Sequence, residues 1–81
     1  MLKIGDTVAW RHAWGTGPVA DAVVTGLDIT LYPREKYGDP ADEVSWDLVQ
    51  QNRVVVSLSN SSWAYGSQIS PQGTDPNRWH K

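Results

Sequence analysis

Residues 53–69, Arg-Val-Val-Val-Ser-Leu-Ser-Asn-Ser-Ser-Trp-Ala-Tyr-Gly-Ser-Gln-Ile, constrain this chain more than any other stretch. They read as a β-hairpin turning at Asn60 and Ser61, since Asn tolerates the positive φ that tight turns require. Pairing Ser59 with Ser62 sets Leu58 opposite Trp63 and Val56 opposite Tyr65. Directly opposed residues share a face, so Val54, Val56, Leu58, Trp63 and Tyr65 are expected to form one apolar surface. Arg53, Val55, Ser57, Ser59 and Ala64 fall on the other, half-solvated face. On this reading Trp63 is a core residue, and Trp63→Ala is expected to be severely destabilising.

The rest of the composition bears on how such a hairpin is held. Eighty-one residues make one small domain, and a chain of this size buries only roughly 60% of the surface it exposes when unfolded. There is no cysteine, so neither a disulfide nor a thiolate zinc site reinforces the fold. Five tryptophans and three tyrosines are therefore expected to supply much of the core, each large aromatic burying about 150–250 Å².

Upstream, residues 3–11 read as a first strand with Ile4, Val8 and Trp10 on one parity, bent at Gly5-Asp6. Residues 12–18 carry two glycines and a proline and read as a loop. Residues 19–32 form a second strand in which Leu27, Ile29 and Leu31 alternate with Asp28 and Thr30. Ala22 and Val24 join that apolar face only if Gly26 sits in a one-residue bulge, which would bend the strand. Residues 33–40 are charged and turn-rich, an exposed excursion. Asp39 is placed to cap a short helix beginning at Pro40 and ending at Gln51-Asn52. After the hairpin, Gly66–Pro71 makes a turn and a last short strand centred on Ile69. Residues 1–71 form the domain and residues 72–81 a polar, flexible tail, with Trp79 as its one anchor.

The fold class is thus all-β and mainly antiparallel, a partly open barrel of four or five strands with one short helix inserted before the central hairpin. The Gly5-Asp6-Thr7-Val8 opening is similar to the strand entry of KOW and Tudor modules. Trp63-Ala-Tyr-Gly66-x-x-Ile69 resembles the closing hairpin and last strand of the same group. Together they resemble the SH3-like small barrel over residues 3–70, departing from it in the long insertion at 33–52. The acidic loop and Trp-Trp-Pro-Tyr signature of peptide-binding SH3 domains are absent, so the resemblance carries no expectation of Pro-x-x-Pro recognition.

Catalysis is not expected. The histidines are His12 and His80, and no spacing ties either to a nucleophile and an orienting acid. No His-x-x-x-His and no calcium-loop spacing occurs, so neither metal nor cofactor is expected. Asp39, Asp42, Glu43 and Asp47 are explained by the dipole of a helix start. Asn60-Ser61-Ser62 fits a glycosylation sequon but reads as turn chemistry. The N-terminus does not read as a signal peptide, and no apolar run reaches the roughly 20 residues of a bilayer span. A cytoplasmic protein that makes no membrane contact is the expectation.

The functional content lies in aromatics beside cations. Trp14, Tyr32, Tyr37 and Trp46 fall in or beside loops, with Arg11, Arg34, Lys36 and Arg53 near them in sequence. Trp, Tyr and Arg are favoured interface anchors, and loops on a rigid scaffold are where binding residues sit. The structural alternative is that Trp14 and Trp46 cap a small barrel. The first functional expectation is a non-enzymatic module binding an unknown protein partner. The second is a nucleic-acid binder in which the aromatics stack bases and the cations touch phosphates, against which stands the net charge of −2. A small accessory subunit without its own ligand fits the same residues. The chain is expected to be a monomer or a weak dimer formed through an open sheet edge.

Overall fold

The bend expected at Gly5-Asp6 divides the N-terminal run into two strands. The computed structural model describes residues 1–12 and 16–80, and in it β1 (Leu2–Lys3) and β2 (Thr7–Arg11) flank a turn with Gly5 at φ 97°. The Asp6 carboxylate accepts from the Lys3 amide at 3.0 Å and closes that turn. There follow β3 (Val19–Ile29), β4 (Asp39–Ala41), β5 (Glu43–Val44), α1 (Trp46–Gln50), β6 (Val54–Leu58) and β7 (Trp63–Tyr65). A 3-10 helix (Gly66–Gln68), β8 (Ile69–Pro71) and α2 (Pro76–Trp79) complete the chain. The molecule is small and all-β, its sheets antiparallel and its helices few and short.

The main sheet runs β7-β6-β3-β2-β8, with β4 added to β3, and it does not close. The first half of β3 pairs with β2, from Thr7↔Val23 to Arg11↔Val19. Its second half pairs with β4 and with β6. Between the halves the register shifts, Val24 facing Leu58 and Gly26 facing Ser57, which is the bulge the phase of Ala22, Val24 and Leu27 required. The extra residue lets all three point inward, and all three are buried. A second, two-stranded sheet pairs β1 with β5 and sets Leu2 opposite Val44, both buried.

The hairpin forms, but one residue out of the expected register. Val56 faces Ala64 and Ser57 faces Trp63. The loop is three residues, Ser59–Ser61, with Ser61 at φ 67° and Leu58 N–H donating to the Ser62 carbonyl at 2.9 Å. Ser59 prolongs β6 alongside β3, its N–H donating to the Val23 carbonyl, and so moves the turn onward. A slip of one residue exchanges the faces of a strand. Trp63 and Tyr65 therefore point outward and Ala64 inward, with Trp63 41% exposed and Ala64 fully buried. The expectation that Trp63 is a core residue, and that its loss would be severe, is overturned.

The core is aliphatic. Leu2, Val8, Ala22, Val24, Leu27, Val44, Val49, Val54, Val56, Leu58, Ala64 and Ile69 fill it. Trp10, Trp46 and Trp79 pack against its margin, only partly buried. The aromatics were thus expected in the wrong layer.

Three further expectations change. Ile4 and Leu31 are exposed: Gly5 turns the chain after Ile4, and β3 ends at Ile29, where Thr30 N–H donates to the Arg53 carbonyl at 2.8 Å. The helix is only α1, and Asp39–Ala41 is a strand. Asp39 precedes a proline, which disfavours the α region, and the backbone of β3 offers it pairing. Ser45 is the cap instead, its hydroxyl accepting from Asp47 N–H at 3.0 Å, and Asn52 ends the element at φ 56°. Finally, residues 72–80 carry a capped helix. Asp75 caps it, Pro76 is buried, and His80 Nε2 lies 2.7 Å from the Ile69 carbonyl oxygen. Among the described residues no helix is long and apolar enough to cross a membrane.

Candidate functional site

The outer face of the β6–β7 hairpin holds an aromatic cluster that the register creates. Trp63 and Tyr65 are next but one along β7, so they share a face, and their rings meet edge to face at 5.1 Å. Such a pair contributes about 0.5–1.5 kcal/mol beyond its area burial. The loop from Thr30 to Gly38 supplies the neighbours. Lys36 Nζ sits 5.1 Å above the Trp63 ring and 5.8 Å from the Tyr37 ring. Tyr37 is 80% exposed.

Local backbone bonds fix this loop at its base. Arg34 adopts φ 64°, a left-handed conformation rare for residues other than glycine, asparagine and aspartate. Its N–H donates to the Asn52 carbonyl at 3.0 Å, and Asn52 is itself left-handed. Asn52 Oδ1 accepts from Ser67 N–H at 3.0 Å, joining the loop base to the 3-10 helix. Gly66, which opens that helix, lies so close to α1 that a Cβ there would come within 2.9 Å of the Val49 carbonyl oxygen. At the other end, a Cβ on Gly38 would overlap the Ile29 carbonyl. Arg34, Tyr65, Ser67 and Gln68 together line a cleft of about 270 Å³. Gln68 is bonded there at both ends of its amide: its Oε1 accepts from Tyr65 N–H and its Nε2 donates to the Arg11 carbonyl.

Of the residues singled out from sequence, the structure brings Arg34, Lys36 and Tyr37 together and adds Trp63 and Tyr65. Arg53 stands at the base of the same loop, its Nε donating to the Thr30 carbonyl at 3.1 Å and its guanidinium reaching Gln51. Tyr32 is 63% exposed on the loop. Arg11 is turned elsewhere, 3.6 Å from Asp75. Trp46 meets Trp79 edge to face at 5.3 Å at the core margin, the capping alternative. Trp14 lies outside the described residues. Trp63 and Tyr65 were missed because they had been assigned inward. The signal was Ala64, the one residue of Trp-Ala-Tyr small enough to face Val56 in the interior.

Compared with known proteins, the chain matches no family model, no curated protein and no solved structure.

Proposed function

We propose that the chain is a non-enzymatic binding module on an SH3-like barrel, taking a protein partner on the face formed by Lys36, Tyr37, Trp63 and Tyr65. The barrel reading is supported by strand order: β2, β3, β6 and β7 meander, a 3-10 helix follows, and β8 returns to β2. Residues 30–53, carrying β4, β5 and α1, are an insertion into that plan.

The observation that carries the partner reading is the outward Trp63–Tyr65 pair, covered on one side by Lys36 rather than by core. Trp, Tyr and Arg are the residues enriched at interface anchors, and Arg34 lines a cleft with Tyr65. A photo-crosslinking amino acid at position 37, with one at Asp42 as control, tests it in extract of the native host. Protein adducts specific to position 37 are expected. Adducts no more frequent than at position 42 would remove the proposal.

Arg34 and Lys36 beside exposed rings also favour a second reading, single-stranded nucleic acid stacked on those rings. An amide-shift titration with short DNA and RNA oligonucleotides separates the two, because phosphate contacts weaken steeply with salt.

A further inference from the structure

Resting on the protein-partner reading, we propose that the partner is an acidic segment, that a carboxylate docks in the Arg34 cleft, and that Arg34 determines this specificity. The first ground is electrostatic. The chain as a whole is acidic, with net charge −2, yet the hairpin face gathers Arg34 and Lys36, with Arg53 at its base. Neither Arg34 nor Lys36 has an ion pair among the described residues. Glu35 lies between them in sequence, so the local balance across the three residues is one positive charge, and none of the other carboxylates is paired with either cation. Complementary charge across an interface selects the partner and suppresses like-charged ones.

The second ground is backbone. A left-handed arginine is strained relative to ordinary geometry, and glycine or asparagine would occupy the position with less strain. The bond to Asn52 holds it there, and Arg34 lines the cleft together with Tyr65 and Ser67. Its guanidinium has no hydrogen bond among the described residues. A guanidinium with a hydroxyl nearby is a donor set for a carboxylate, which accepts two parallel N–H bonds from arginine. Gln68 is held in place by bonds at both ends of its amide, Oε1 accepting from Tyr65 N–H and one Nε2–H donating to the Arg11 carbonyl.

The third ground is spacing. Trp63 continues from Tyr65 along one strand face, two residues and therefore about 7 Å away. An extended segment with a carboxylate at Arg34 would lay its next same-side residue near the Trp63 ring. A nucleic-acid track needs repeated phosphate contacts along a basic stripe, and two cations with Glu35 between them do not make one.

The test is an amide- and indole-shift titration of the isotopically labelled chain with three pools of twelve-residue peptides. All pools carry randomised aliphatic and aromatic residues at alternate positions, with Asp/Glu, Ser/Gln or Lys at the others. The expected result is saturable shifts at Arg34, Ser67 and the Trp63 indole with the acidic pool alone. Arg34→Gln is then expected to weaken acidic binding about tenfold or more, as for loss of a charge-assisted bond, and Arg34→Lys to restore part of it. Unchanged amide shifts in β2, β3 and β6 show that each variant is folded. Equal binding of all pools, insensitive to Arg34→Gln, overturns the acidic inference and leaves the partner reading standing. Shifts at these residues with single-stranded oligonucleotides but with no peptide pool overturn both. Silence from every probe overturns the inference, and crosslinking at position 37 then decides the broader reading.

Discussion

Two aromatic pairs, in two parts of the molecule, show how packing assigns different work to tryptophan. Trp46 and Trp79 meet edge to face at 5.3 Å, partly buried and packed against the core cluster. Trp63 and Tyr65 meet in nearly the same geometry at 5.1 Å, but on the outer face of the hairpin, where Lys36 stands over the larger ring. The ring contacts are alike; what lies behind them is not. The first pair packs against the core, and the second stands on the outer face of the sheet, where the core depends on it less.

That contrast fixes an order of effects. Trp46→Ala is expected to lower unfolding free energy by about 2–4 kcal/mol, read as a lower urea midpoint at unchanged m-value. The tail helix should loosen with it, visible as faster amide exchange at Trp79 and His80. Next, Ala64→Leu should cost about 1–3 kcal/mol by overpacking, although it adds apolar surface. A neutral result would mean that Ala64 does not face Val56 and would restore the alternative register. Trp63→Ala should lower stability by about 0.5–1.5 kcal/mol, the range of an edge-to-face ring contact. A loss as large as that for Trp46 would erase the distinction between the pairs. Smallest of all, Lys36→Ala should cost a few tenths of a kcal/mol. In a double-mutant cycle with Trp63→Ala, the coupling should account for most of that loss, a few tenths of a kcal/mol.

The comparison also explains what could be read from sequence. The bulge at Gly26 was legible because two alternating runs, Ala22-Val24 and Leu27-Ile29, are out of phase by one residue and both have to face inward. Asn52 as a helix stop was legible because few residues accept a left-handed conformation. The hairpin register was not. Ser-Asn-Ser-Ser supports a two-residue or a three-residue loop equally well, and the choice rests on Ser59 bonding to Val23, a strand thirty-six residues away. That one-residue choice moved Trp63 and Tyr65 from core to surface, so the site was hidden by the same ambiguity. The partial burial of Trp46 was hidden too, since its partner Trp79 belongs to a polar segment with no apolar periodicity.

The excursion from Thr30 to Arg53 begins and ends at one place, where Thr30 N–H meets the Arg53 carbonyl and Arg34 N–H meets that of Asn52. A loop with a closed neck tolerates changes of length: doubling a flexible loop costs only about 0.6 kcal/mol in closure entropy. Val44 and Val49 are buried in the core and hold the far half of the excursion in place. The near half, Leu31 to Tyr37, carries no such obligation. Descendants of this chain can therefore rewrite the exposed residues on either side of Arg34 while that neck bond and the strand register are kept. The part of the molecule freest to diverge is the part that carries Lys36 and Tyr37 beside the Trp63 ring.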